Sequence, residues 1–171
     1  MRAGLIALTP LLLAAGSTAA QVVLVEAGIV CPRETTGALV EAPGTEAGVI
    51  RRIEEQTYFD LLETTVPTVT DLSFGFRTTL APGEPSRDVT IVVTHPPMGP
   101  RGVTRQEWVD RIEAGLDSLN LFTFEHDYEK VVGTWRFAIE IDGQPVVSVP
   151  FEVAEAGGRS AVERVCFQFL S

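Results

Sequence analysis

Residues 133–153, GTWRFAIEIDGQPVVSVPFEV, limit the possible folds more than any other stretch of this chain. Trp135, Phe137, Ile139 and Ile141 alternate with Thr134, Arg136, Ala138 and Glu140. A period of two marks a strand with one buried face. Asp142-Gly143 follows at once, and Asp-Gly between alternating apolar runs is a strong hairpin signal. Val147, Val149, Phe151 and Val153 repeat the pattern on a second strand. A β-sheet core is expected here, built on Trp135, Phe137, Ile139, Ile141, Val149 and Phe151.

Upstream, residues 22–30 read as a strand ending at Cys31-Pro32. Residues 32–48 are rich in Gly, Pro, Thr and Glu and predict a long loop. Residues 53–63 carry Thr57, Tyr58 and Phe59 and are assigned as a strand. Leu72, Phe74, Phe76, Thr78 and Leu80 alternate on another, in which Gly75 signals a bulge or a close approach by a neighbouring element. Residues 89–93 alternate again. Three prolines within residues 95–102 predict an irregular, polyproline-like surface segment. Thr104 and Glu107 have capping-box spacing, and Trp108, Val109, Ile112 and Leu116 share a helical face, so residues 105–114 are expected to be a helix. Residues 121–124 begin a further strand, and residues 162–170 read as the last one.

Strands without interleaved helices argue for antiparallel pairing. The expected class is all-β: an immunoglobulin-like antiparallel β-sandwich of seven or eight strands with one short helix. The wide spacing of Cys31 and Cys166 is not that of the inter-sheet pair of antibody domains.

The first twenty residues have the layout of a secretory signal peptide: Arg2, an apolar run over residues 5–15, then small residues up to Ala20. The run falls short of the roughly 20 residues that span a bilayer. Cleavage after Ala20 leaves one domain over residues 21–171, periplasmic or secreted, with no membrane insertion; an uncleaved anchor is the other reading. Without Arg2 the chain has 12 basic and 23 acidic residues, net −11. Such a charge repels phosphate backbones, which argues against a nucleic-acid partner. Two cysteines in an oxidising compartment suggest a Cys31–Cys166 disulfide tying the first mature strand to the last, with two free thiols as the alternative.

Several pieces occur in an order that resembles an uncharacterised family of small exported bacterial proteins, a domain of unknown function. They are Glu26-Ala27-Gly28-Ile29, Glu63-Thr64-Thr65-Val66-Pro67 before Phe74-Gly75-Phe76, His95-Pro96-Pro97, and Tyr128-Glu129 before Gly133-Thr134-Trp135-Arg136-Phe137. The resemblance spans residues 22–153. It implies a compact β-sandwich and supplies no catalytic residue.

No standard catalytic motif is present, so no catalytic residue is assigned and no cofactor is expected. Three features carry some chemistry. His126 and Asp127, with nearby Glu125 and Glu129, are a weak candidate metal or acid–base cluster to which His95 adds a second imidazole; a solvated loop is the preferred account of them. His95, Pro96, Pro97 and Met98 form a stiff segment that suits recognition, or simply a crossing between sheets. Trp108 is either core or an exposed anchor. The expected role is non-enzymatic: an exported module binding an unknown protein or envelope component. The alternative is a metal-dependent or small-ligand-binding protein or enzyme that uses His95, His126 and nearby carboxylates.

Overall fold

The computed structural model describes residues 22–33, 37–53, 56–157 and 160–167. The expected signal segment and its cleavage site lie outside the described residues. In chain order the elements are β1 (Val22–Val30), β2 (Leu39–Glu41), β3 (Val49–Arg51), β4 (Thr65–Pro67), β5 (Ser73–Leu80), β6 (Arg87–Met98), β7 (Val103–Ile112), β8 (Asp117–Thr123), β9 (Gly133–Ile141), β10 (Gln144–Ala154) and helix α1 (Ala161–Phe167). A short 3-10 turn, Asp127–Glu129, precedes β9.

Two sheets face each other. One has the order β1-β5-β8, the other β4-β10-β9-β6-β7, and β2 and β3 make a separate ribbon. All pairings are antiparallel except β4 on β10, which is parallel over Thr65–Pro67. This is the immunoglobulin arrangement. Strands β1, β5 and β8 take the places of A, B and E, and β10, β9, β6 and β7 those of G, F, C and C′. The protein is an all-β, immunoglobulin-like sandwich.

The opening hairpin forms as its sequence dictates. Asp142 (φ 52°) and Gly143 (φ 73°) both adopt positive φ, as a type I′ turn requires. Trp135, Phe137, Ile139, Val149 and Phe151 are buried between the sheets; Ile141, at the end of β9, packs half-buried against them. Phe74 of β5 reaches across the sandwich, with ring centroids 5.5 Å from both Trp135 and Phe137 and 5.3 Å from Phe151. Antibody domains join strands B and F by a disulfide; here edge-to-face aromatic contacts join β5 and β9. The disulfide lies elsewhere. Cys31, just past β1, is bonded to Cys166 of α1 across 135 residues, with Cα atoms 5.3 Å apart.

Gly75 sits where β5 must lie close to β8. A Cβ there would meet the Asn120 carbonyl oxygen at 2.0 Å. Of the two readings of Gly75, the structure shows the close approach.

Several expectations are corrected. Residues 105–114 are not a helix but most of β7, paired with β6 from Arg87↔Ile112 to Thr94↔Arg105. β-branched and aromatic residues (Val103, Thr104, Trp108, Val109, Ile112) favour the strand once β6 offers a ladder, and Val109, on the supposed buried face, is 70% exposed. The last element is a helix, not a strand. Ser160 Oγ accepts the Glu163 N–H (3.0 Å) and the Glu163 carboxylate accepts the Ser160 N–H (3.0 Å), so the operative capping box is Ser160–Glu163. Residues 168–170 of the expected strand lie outside the described residues. The disulfide therefore ties β1 to α1 and not to a last strand. Residues 53–63 are not a strand: among those described, the β-pairing is an isolated bridge of Leu61 to Ile29. The expected loop over residues 32–48 instead contains β2, whose partner β3 begins directly after it at Val49. The two facing sheets hold eight strands among the described residues, within the seven or eight expected, and the β2–β3 ribbon adds two more outside them.

Residues 95–98 also depart from expectation. They continue β6 as a bulge, with the register shifting between Thr94 and Met98. Bulges leave residues unpaired, which suits Pro96 and Pro97 because neither has an N–H to donate. His95 and Met98 turn inward, and only Pro97 of the four is exposed.

Candidate functional site

The inner faces of β7 and β8 do not follow the rest of the sandwich. Gln106, Trp108 and Asp110 oppose Val93, Ile91 and Val89 of β6, all buried. Asn120 and Phe122 oppose Phe76 and Phe74 of β5. These positions face inward, yet three of the five are polar. Asp110 Oδ2 accepts hydrogen bonds from Ser118 Oγ (2.8 Å) and Asn120 Nδ2 (3.2 Å), and Asn120 Nδ2 also donates to Ser118 Oγ (3.0 Å). Polar side chains thus bridge two strands of different sheets where an apolar core would otherwise reach the edge. Asn120, 6% exposed, is satisfied within this cluster, and Gln106, 4% exposed, by His95 and the Glu46 N–H, so the burial cost of both is offset.

The β2–β3 ribbon folds over this open side. The Glu107 N–H donates to the Gly44 carbonyl (3.1 Å). Arg101, in the β6–β7 turn, donates to the Thr45 carbonyl (3.0 Å), the Glu46 carbonyl (2.9 Å) and the Glu46 carboxylate (3.0 Å). A third attachment runs from the core. The His95 ring lies against Trp135, tilted by 32° with centroids 4.5 Å apart. Its Nδ1 lies 2.8 Å from the Pro96 carbonyl, which can only accept, so Nδ1 carries the proton. Nε2 then accepts from Gln106 Nε2 (3.1 Å), leaving Gln106 Oε1 to accept the Glu46 N–H (2.8 Å). Burial pushes the His95 imidazole below its usual range, against the Pro96 carbonyl and Glu46, which pull it up.

Between ribbon and edges lies a groove of about 890 Å³. Its walls include Val40, Val49 and Arg51 from the ribbon, Trp108 and Asp110 from β7, and every residue of β8. Arg51 donates to the Gly37 carbonyl (3.3 Å) and lies 3.7 Å from Glu125. Leu116, 62% exposed in the β7–β8 turn, forms one rim.

Of the side chains singled out from sequence, the groove contains Trp108, half-buried against the core, and the carboxylates of Glu125 and Glu129. The others lie apart from it. His95 is enclosed with both ring nitrogens hydrogen-bonded. His126 is exposed and stacked on Tyr128 at 5.2 Å. Asp127 is exposed and bonded to Lys130 (2.7 Å), which holds its carboxyl below the usual range. Glu129 is buried, accepts the His126 N–H (2.7 Å), and is pushed up by desolvation. Among the described residues, no three His, Cys, Asp or Glu side chains are grouped to hold a metal. The polar inner face of β7 was the one available sequence signal for the groove, and a helical reading of residues 105–114 concealed it.

A comparison with curated proteins finds no match. Among solved structures, the chain is similar to the crystal structure of an immunoglobulin-like protein from Pseudomonas aeruginosa, at 21% identity and a TM-score of 0.46, over 76% of this chain and 99% of that one. The family described as a domain of unknown function, DUF3859, matches residues 19–153, from before β1 to the last residues of β10, and the chain belongs to that family.

Proposed function

We propose that the protein is an exported, non-enzymatic binding module that holds a protein or envelope component in the groove between β7, β8 and the β2–β3 ribbon. The observation that carries this reading is the groove itself: about 890 Å³, opened between two sheet edges and lined by both polar and apolar groups. Export is supported by the Cys31–Cys166 disulfide, since such bonds persist in oxidising compartments. Among the described residues, no helix is long and apolar enough to cross a membrane. The overall negative charge disfavours nucleic acid as the occupant. The alternative built on His95 and His126 has less support, because His95 is committed to Pro96 and Gln106 within the core.

The test is site-specific photo-crosslinking in cells that express the protein. A photoreactive residue at Leu116, on the groove rim, is compared with one at Gln144, on the exposed β9–β10 hairpin. The expected result is one defined adduct from Leu116 that Gln144 does not give. The same adducts from both positions, or none from Leu116, would overturn the reading.

A further inference from the structure

We propose that the occupant of the groove is a basic, extended segment of a partner protein that adds as a strand to the free edge of β8. The inference rests on the binding-groove reading and gives the chemistry of what binds. The sheet β1-β5-β8 has three strands against five in the sheet facing it, and β8 is its terminal strand. All seven residues of Asp117–Thr123 line the groove, so one of its walls is a strand edge. An unpaired edge presents N–H and C=O groups that an incoming strand can take up.

The edges of this protein are not defended alike. β10 has a strand partner on its outer side only at Glu152–Ala154, and the remainder carries Pro145 and Pro150, which cannot donate to a ladder. On β7 the Glu107 N–H is already taken by Gly44. β8 reads DSLNLFT, with no proline and no lysine. Of the edges beside the groove it is the one built to accept pairing.

Charge selects the segment. Seven acidic side chains line the groove against four arginines. Three of those arginines are already paired: Arg51 with Glu125, Arg77 with Glu26, and Arg111 with Asp88 and Glu113. Among the described residues Glu41, Asp110 and Asp117 have no cationic partner, so the field in the groove favours lysine or arginine. Side chains of an added strand alternate between its two faces. One set would meet these carboxylates, and the other would lie against apolar wall residues such as Leu121 and Val40. The matching sequence alternates basic and apolar residues over about seven positions.

Fluorescence anisotropy on the full chain tests this with three labelled nine-residue peptides: alternating Lys and Val, alternating Glu and Val, and the Lys/Val peptide N-methylated at every second residue. The Lys/Val peptide is expected to bind at least ten-fold tighter than either of the others. Its affinity should fall several-fold with added salt and in the double variant Glu41→Gln, Asp117→Asn, both exposed positions that leave the core intact. Equal binding of the Lys and Glu peptides, or indifference to N-methylation, overturns the proposal. So does self-association of the chain that excludes the peptides from the groove. Failure of the Lys/Val peptide alongside a defined Leu116 adduct rejects the basic strand and leaves the groove reading standing; failure of both rejects the two together.

Discussion

Gln106 Nε2 lies 3.1 Å from His95 Nε2, and this contact ties the β2–β3 ribbon to the core through a side chain that can titrate. Protonation of Nε2 would set two donors against each other. Burial lowers the folded pKa of His95 below its ordinary 6.5, so as pH falls the unfolded chain takes up the proton first. Stability from this group is complete above about pH 6.5 and is lost as pH drops from there toward the folded value. Urea midpoints measured from pH 8 to 5 should decline more in the wild type than in His95→Asn. The difference between the two proteins isolates His95, because Glu129, whose burial raises its pKa, contributes an opposite slope to both. Parallel profiles would rule out the coupling.

Gly75 is expected to be the least replaceable residue of β5. Its missing side chain lets the Asn120 backbone approach to where a Cβ would stand 2.0 Å away. Gly75→Ala must push β8 from β5 and should cost at least the roughly 1–3 kcal/mol typical of overpacking. Gly83→Ala, with no atom within 4 Å of the added Cβ, would show only the cost of its positive φ. Equal losses for the two in chemical denaturation would contradict the close-approach account.

How much of this was legible follows from how local each signal is. The β9–β10 hairpin and the alternation of β5 are short-range patterns, and the structure follows them. At β7 two local patterns competed. Thr104 and Glu107 mimic a capping box, while the strand face places polar Gln106 and Asp110 beside Trp108. Hydropathy fails to alternate there because that face lines the groove as well as meeting the core. The same conflict, reversed, hid α1, where Val165 and Phe167 alternate like a strand although Ser160 and Glu163 cap a helix. The groove needed contacts no local pattern carries, such as Glu46 to Gln106 across 60 residues.

The two capping-box sequences should therefore respond differently. Ser160→Ala removes a cap that is made (3.0 Å to the Glu163 N–H) and should cost about 1 kcal/mol. Thr104→Ala removes a capping pattern inside a strand, at an exposed position, and should stay within about 0.5 kcal/mol. Denaturant midpoints of the two variants check this. A larger loss for Thr104→Ala would mean that residues 105–114 do form a helix in solution.

Reduction should loosen α1 far more than the sandwich. The Cys31–Cys166 bond closes a loop of 135 residues, for which the chain-entropy model gives about 5 kcal/mol, and native disulfides typically contribute about 2–5 kcal/mol. α1 contributes one fully buried side chain, Val162, to a core otherwise drawn from the strands and their connections, and it lies beyond the residues matched by the family. The double variant Cys31→Ser, Cys166→Ser should keep the β-sheet circular dichroism of the wild type while its denaturation midpoint falls. Hydrogen exchange then separates local from global effects. Amides of α1 should lose protection by a larger factor than those of β5 and β9, whose pairing and aromatic contacts do not involve the bond. Uniform loss across α1, β5 and β9 would show that the helix and the sandwich unfold as one unit, and that the disulfide acts on the whole of it.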